Sequence, residues 1–170
     1  MKHINLLLIQ RIFKGYAELV EIVRELSGVD LTLSVIIHRI RYNMDILAAL
    51  KKQPLFKSYI AGTAADISKA EEKLKLSFSA EYKQYLLKCG FATYDGHEIT
   101  GICKAKRLNV VDVTIMEREY AENIPSGYVI EQLNIDGIVI WQSSSGEIYQ
   151  TSPNTEPEKI CESLADYICM

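Results

Sequence analysis

The side chains able to do chemistry are spread thinly along this chain. His97 stands directly before Glu98, as in the helical motif where two histidines hold zinc and a glutamate serves as base, but no second histidine follows. A turn or strand-edge histidine is the simpler reading. His3 and His38 lie far from it and from the cysteines Cys89, Cys103, Cys161 and Cys169, which form no CxxC pair. Neither a zinc site nor a redox motif is therefore indicated. Each cysteine falls inside or beside an apolar run, where a free thiol behaves as a small buried hydrophobe, and unpaired cysteines suit a reducing compartment. Ser144-Ser145-Gly146 has no histidine nearby to act as base, and no phosphate-cradling glycine loop occurs. Asp112, Glu117, Glu119 and Glu122 are close enough in sequence to hold a cation, yet the central glycine and alternating oxygens of a calcium loop are missing, so a solvated acidic face is expected. No catalytic centre, metal or cofactor is expected. The chain reads as a binding module rather than an enzyme.

The charge pattern says more. Residues 108–170 hold two basic side chains, Arg118 and Lys159, against eleven acidic ones, a net of −9, whereas residues 45–107 are net +4 from eleven basic and seven acidic residues. Such asymmetry concerns partners rather than fold. An acidic surface repels nucleic acid and speeds encounter with basic proteins. Lys104, Lys106 and Arg107 cluster without interleaved aromatics, too little for a nucleic-acid patch.

The elements that position these groups follow from periodicity. Residues 4–27 place Ile9, Ile12, Tyr16, Leu19, Val23 and Leu26 at helical spacing, stopped by Gly28. The pattern fits a helix docked on its own domain, with a homo-oligomer contact through it as the alternative. Residues 31–52 carry a second helical pattern ended by Pro54. Further helices are predicted over 65–74, with Thr63 or Asp66 as cap, and from the Ser79 cap to Cys89-Gly90, burying Tyr82, Tyr85 and Leu86. A short strand is expected near Gly96–Ile102, and a helix over 109–120 with Asn109 as cap. Residues 128–152 alternate β-branched and aromatic clusters with turns at Asn134–Gly137 and Ser143–Gly146, an antiparallel meander forming the centre of a single sheet. Trp141 and the tyrosines fall at strand or helix spacing and read as core. Residues 156–168 are predicted as a terminal helix with Pro157 in its first turn. The basic N-terminus has too short an apolar run for a signal peptide and no stretch reaches a membrane span, so a cytoplasmic protein is expected.

Several of these segments resemble one family. Ile67-x-x-Ala70-Glu71-x-x-Leu74-x-Leu76-x-Phe78-Ser79-x-Glu81-Tyr82-Lys83-x-Tyr85-Leu86, ending in Gly90, resembles the opening helices of the SUKH superfamily, the Smi/Knr-like group. Asn109-Val110-Val111, Ile124-Pro125, Tyr128-Val129-Ile130-Glu131, Asp136-Gly137-Ile138-Val139-Ile140-Trp141-Gln142, Ser144-Ser145-Gly146-x-Ile148-Tyr149-Gln150 and Ser163-Leu164-x-x-Tyr167-Ile168 follow in order. The match looks like the bacterial immunity branch and covers about residues 45–170, leaving residues 1–44 as a helical extension that does not align. The resemblance implies an α+β fold, an antiparallel sheet with helices packed around it. It also implies an immunity protein that binds and blocks a cognate toxin domain, often a nuclease, with no catalytic motif of its own. Since nucleases are basic in order to hold phosphate, the acidic last third suggests a toxin-binding set: Asp112, Glu117, Glu119, Glu122, Asp136 and Glu147. A cytoplasmic interaction adaptor without a toxin partner is the alternative. Neither nucleic acid nor a membrane is an expected partner.

Overall fold

The computed structural model describes residues 46–120 and 124–170. The predicted extension over 1–44, with its first helix, and Glu122 lie outside the described residues, and of the helix predicted over 31–52 only the end is described, where Ile46–Lys51 is helical. The chain order is α1 (Ile46–Lys51), β1 (Lys57–Ser58), α2 (Ala64–Leu74), α3 (Ala80–Cys89), β2 (Ala92–Tyr94), β3 (His97–Ile99), a 3-10 turn at Lys106–Leu108, α4 (Val110–Tyr120), β4 (Gly127–Gln132), β5 (Val139–Ser143), β6 (Ile148–Thr151), β7 (Glu158–Cys161) and α5 (Leu164–Ile168). The fold class is α+β.

Local chemistry fixes most of these ends. Thr63 and Asp66 form a reciprocal capping box at the start of α2, and Ser79 accepts from the Tyr82 N–H at the start of α3. Gly90 closes α3 at φ +66, and a Cβ there would lie 1.8 Å from the Ile60 carbonyl oxygen, so glycine is required twice over. Asn109 Oδ1 accepts from the Val111 N–H at 3.0 Å and so caps α4. That helix forms despite its β-branched Val110, Val111, Val113, Thr114 and Ile115, because its inner side, Val110, Val111, Val113 and Thr114, is buried.

Among the described residues two antiparallel sheets result. The meander expected over 128–152 is present as β4-β5-β6, and β7 adds a fourth strand beside β6. It is not the only sheet: β1, β2 and β3 form a second, three-stranded one. The single short strand predicted near Gly96–Ile102 is in fact the second arm of a hairpin, turning at Asp95-Gly96 with φ of +41 and +87. Both residues have positive φ, as tight hairpin turns demand. Thr100 joins the two sheets, donating its N–H to the Ile130 carbonyl (2.8 Å) and its hydroxyl to the Val129 carbonyl (2.7 Å) where β4 bulges.

The terminal helix predicted over 156–168 is also corrected. Glu158–Cys161 is an edge strand and only Leu164–Ile168 is helical. Backbone pairing with β6, in the register Tyr149↔Lys159 and Gln150↔Glu158, overrides the local helical spacing, and the charged Glu158 and Lys159 suit an exposed edge.

Alternation sorts the large sheet into two faces. Tyr128, Ile130, Ile140 and Ile148 point into the main core with α1, α2, α3 and α5, while Val129, Val139 and Trp141 form a second cluster with Val113 of α4. Tyr82, Tyr85, Tyr128 and Trp141 are buried as expected, but Tyr120 is 81% exposed. The buried hydroxyls are all satisfied. Tyr82 donates to the Thr100 carbonyl (2.9 Å), Tyr85 to that of Ile99 (3.0 Å) and Tyr128 to Gln142 Oε1 (2.8 Å). Of the cysteines only Cys89 is buried, whereas Cys103 and Cys161 are half-buried and Cys169 is exposed.

Candidate functional site

Helix α4 presents a surface that mixes apolar and acidic side chains. With its inner side against the sheet, Asp112, Ile115, Met116 and Glu119 recur at three- and four-residue spacing and form one outward stripe. Ile115 is 41% and Met116 40% exposed, large apolar groups flanked by two carboxylates, with Tyr120 at the helix end. Apolar area ringed by charge is the usual composition of an interaction site.

The basic residues of the acidic third are both occupied elsewhere. Arg118, on the same helix, turns inward and donates to the carbonyls of Leu74 and Gly127, each at 3.1 Å, and burial lowers its pKa. Lys159 bridges Glu147 at 2.7 Å and Glu162 at 2.9 Å, and the Glu147 hydrogen bond raises its pKa. Glu147 is correspondingly lowered, first by Lys159 and then by the Ser145 hydroxyl. Among the described residues Asp112, Glu117 and Glu119 take part in no ion pair.

The predicted acidic set is thus divided. Asp112, Glu117 and Glu119 share α4. Asp136 sits exposed at φ +52 in the β4–β5 turn beside Ile135, which is 64% exposed. Glu117 accepts from Gln132 Nε2 and, with Tyr120, lines a groove of about 580 Å³ walled by Asn134, Gly137 and Pro153, so α4 and that turn flank one depression. Glu147 lies in the β5–β6 turn at the opposite end of the strands, paired to Lys159. Sequence reasoning on charge missed Ile115, Met116, Tyr120 and Ile135. The signal was present: once Val110, Val113 and Thr114 define the inner side of a helix, Ile115 and Met116 fall out of phase with it.

A second cluster surrounds Glu131. Its carboxylate accepts from His97 Nδ1 (3.0 Å), the Glu98 N–H (3.0 Å) and the Tyr167 hydroxyl (2.7 Å). Burial, followed by the Glu131 charge, raises the Tyr167 pKa, so its phenol stays protonated. Neither half-buried thiol is a ready nucleophile: burial raises Cys103 and pushes Cys161 up to about 11. Among the described residues no three His, Cys, Asp or Glu side chains converge to hold a metal, and no helix is long and apolar enough to cross a membrane.

Comparison with the curated proteins finds no match. The family model SUKH_5, described as SMI1-KNR4 cell-wall, matches residues 45–169, more than half of the chain and the same stretch as the α+β fold described above. With its capped helices, its antiparallel meander and that match, this chain belongs to the SUKH family of SMI1-KNR4-type proteins.

Proposed function

We propose that this chain is a cytoplasmic immunity protein that binds a basic toxin domain, a nuclease for example, and occludes its substrate-binding surface with α4. The observation that carries this reading is the outward stripe of Asp112, Ile115, Met116 and Glu119, acidic at its edges and apolar at its centre, with Arg118 turned away beneath it. The carboxylates steer a cationic partner into encounter, and the apolar side chains supply the desolvated centre that holds it. Glu117, Asp136 and Tyr120 extend the contact over the neighbouring groove, and Glu122 continues the acidic run in sequence. Glu147, neutralised by Lys159, contributes to the general field rather than to direct contact. Family membership supports a protein-binding role without catalysis. The match begins at residue 45, which supports reading residues 1–44 as an addition to a self-contained domain over 45–170.

The test is co-purification from the native host followed by a protection assay with the captured protein. A basic toxin domain that the wild-type chain neutralises, and that Asp112→Lys/Glu119→Lys no longer neutralises, is the expected result. Capture of a non-toxic partner on the same face would support an interaction adaptor instead. Unchanged neutralisation by the doubly reversed variant would remove α4 from the interface.

A further inference from the structure

Glu131 is the one charged side chain that is buried among the described residues, at 2% exposure. Buried charges are ordinarily answered by a counter-charge, because hydrogen bonds alone offset only part of the desolvation cost. Here the donors are a backbone N–H, a phenol and His97, which is a cation only when protonated. Among the described residues no lysine or arginine is paired with it. Two of these partners, His97 and Tyr167, also line a cavity of about 500 Å³, a volume typical of small-ligand sites.

Three rings and a carboxylate stand together in the lining of that cavity. The Tyr94 and His97 rings stack at 4.8 Å and 16°, and Tyr167 joins them in the wall. Aromatic faces carry a negative quadrupole. Asp95 adds a carboxylate, Ile140 and Ile160 supply apolar wall, and among the described residues no lysine or arginine lines the space. The cavity lies on the main-core side of the large sheet. Ile140 and Gln150 line it, whereas their neighbours Val139 and Thr151 line the groove beside α4 on the other side.

From this geometry we infer that the cavity binds an organic cation, a guanidinium or alkylammonium group on an aliphatic stem. Its charge is held over the Tyr94 and Tyr167 rings and answers Glu131 through the wall, while the stem packs on Ile140 and Ile160. Rings with a nearby carboxylate select a weakly hydrated organic cation over a metal ion, since a ring face attracts the first without supplying the oxygen ligands that the second demands. A neutral apolar ligand would fill the volume but leave the Glu131 charge unanswered. The inference does not depend on α4 or on the identity of a toxin.

The same chemistry is available from a free small cation or from an arginine side chain of a bound protein, and titration of the full chain distinguishes them. Agmatine is compared with butylurea, an uncharged molecule of similar shape, by calorimetry and by the NMR shifts of the Tyr94 and Tyr167 rings. Agmatine should bind saturably and about tenfold more tightly than butylurea, with the shifts confined to this cavity. Tyr94→Leu, which removes the ring stacked on His97 and is none of the Glu131 donors, should erase most of that preference in a chain shown by its far-ultraviolet spectrum to remain folded. A blocked glycine–arginine–glycine tripeptide binding as well as agmatine identifies a protein side chain as the occupant, and its exclusion identifies a free small cation. Equal affinity for agmatine and butylurea, or no saturation by agmatine at millimolar concentration, overturns the proposal without touching the reading of α4.

Discussion

Glu81 caps a helix to which it does not belong. Its carboxylate accepts from the backbone N–H of Leu164 at 2.8 Å and of Ala165 at 2.9 Å, so a side chain on α3 satisfies the open amides of α5, more than eighty residues further on. Ser163 satisfies a third, that of Asp166, at 3.1 Å. Helix α5 has five residues and cannot persist without such partners. Replacing Glu81 with Ala should lower stability by about 2 kcal/mol, the cost of leaving two partly buried amides unpaired. Urea unfolding measures it, and hydrogen exchange should show the loss concentrated at Leu164–Ile168. A global loss with α5 amides as protected as before would contradict the capping role.

The same carboxylate makes an unusual contribution to the pH dependence. Burial raises the Glu81 pKa and outweighs the lowering by its two backbone hydrogen bonds. A carboxylate raised in the folded state binds its proton more readily there than in the unfolded chain, so this group adds stability as pH falls through its folded midpoint. Glu98, lowered by Arg107, and Glu147, lowered by Lys159, act in the opposite sense: their contribution is present above the unfolded value and is lost as pH falls. Carboxyl-carbon NMR should place Glu81 as the last of the three to deprotonate as pH rises. Relative to Glu81→Gln, the wild-type chain should gain stability on acidification, and a parallel pair of curves would refute the assignment.

What the sequence made legible, and what it did not, divides along the range of the interactions. Thr63, Ser79 and Asn109 are caps whose chemistry lies within three residues, and Gly90 is a local stop, so the helices they bound are readable from neighbours alone. Glu158–Cys161 is a strand only because β6 offers an edge to pair with, a partner that helical periodicity cannot register. Asp95-Gly96 is a strong hairpin signal, yet its arms Ala92–Tyr94 and His97–Ile99 have three residues each and show too little alternation to be seen as two strands. The acidic bias of residues 108–170 was visible as composition. That Arg118 and Lys159 are both engaged, leaving Asp112, Glu117 and Glu119 without a counter-charge among the described residues, depends on the carbonyls of Leu74 and Gly127 and on Glu147, distant groups that only the fold assembles.

Tyr128 shows how much of the fold rests on one hydroxyl. It accepts from the Ser79 N–H at 3.1 Å and donates to Gln142 Oε1 at 2.8 Å, linking the N-cap of α3 to strand β5 inside the core. Tyr128→Phe keeps the ring, its edge contact with Phe78 and its packing on Tyr82, but takes a hydrogen-bond partner from the buried Ser79 and Gln142. The expected loss is about 1–3 kcal/mol. The thermal midpoint should fall while the far-ultraviolet spectrum stays native, and a variant as stable as wild type would mean that Ser79 and Gln142 find other partners.

The two components of the α4 surface should separate kinetically. Asp112 and Glu119 act at a distance and are exposed, so reversing both should slow association with a basic partner and flatten its salt dependence while leaving dissociation nearly unchanged. Ile115 and Met116 act only in contact. Their joint replacement by alanine should leave the association rate alone, speed dissociation and cost about 2 kcal/mol of affinity. Both variants should still fold, with a loss of about 1 kcal/mol, because Asp112 leaves the first turn of the helix and Ile115 and Met116 are only partly exposed. Surface plasmon resonance at two salt concentrations reads all of these quantities at once. If the apolar pair changed nothing while charge reversal abolished binding, the contact would be an electrostatic encounter without a desolvated centre, and the partner would have to be sought among highly cationic chains rather than among folded domains with an apolar patch of their own.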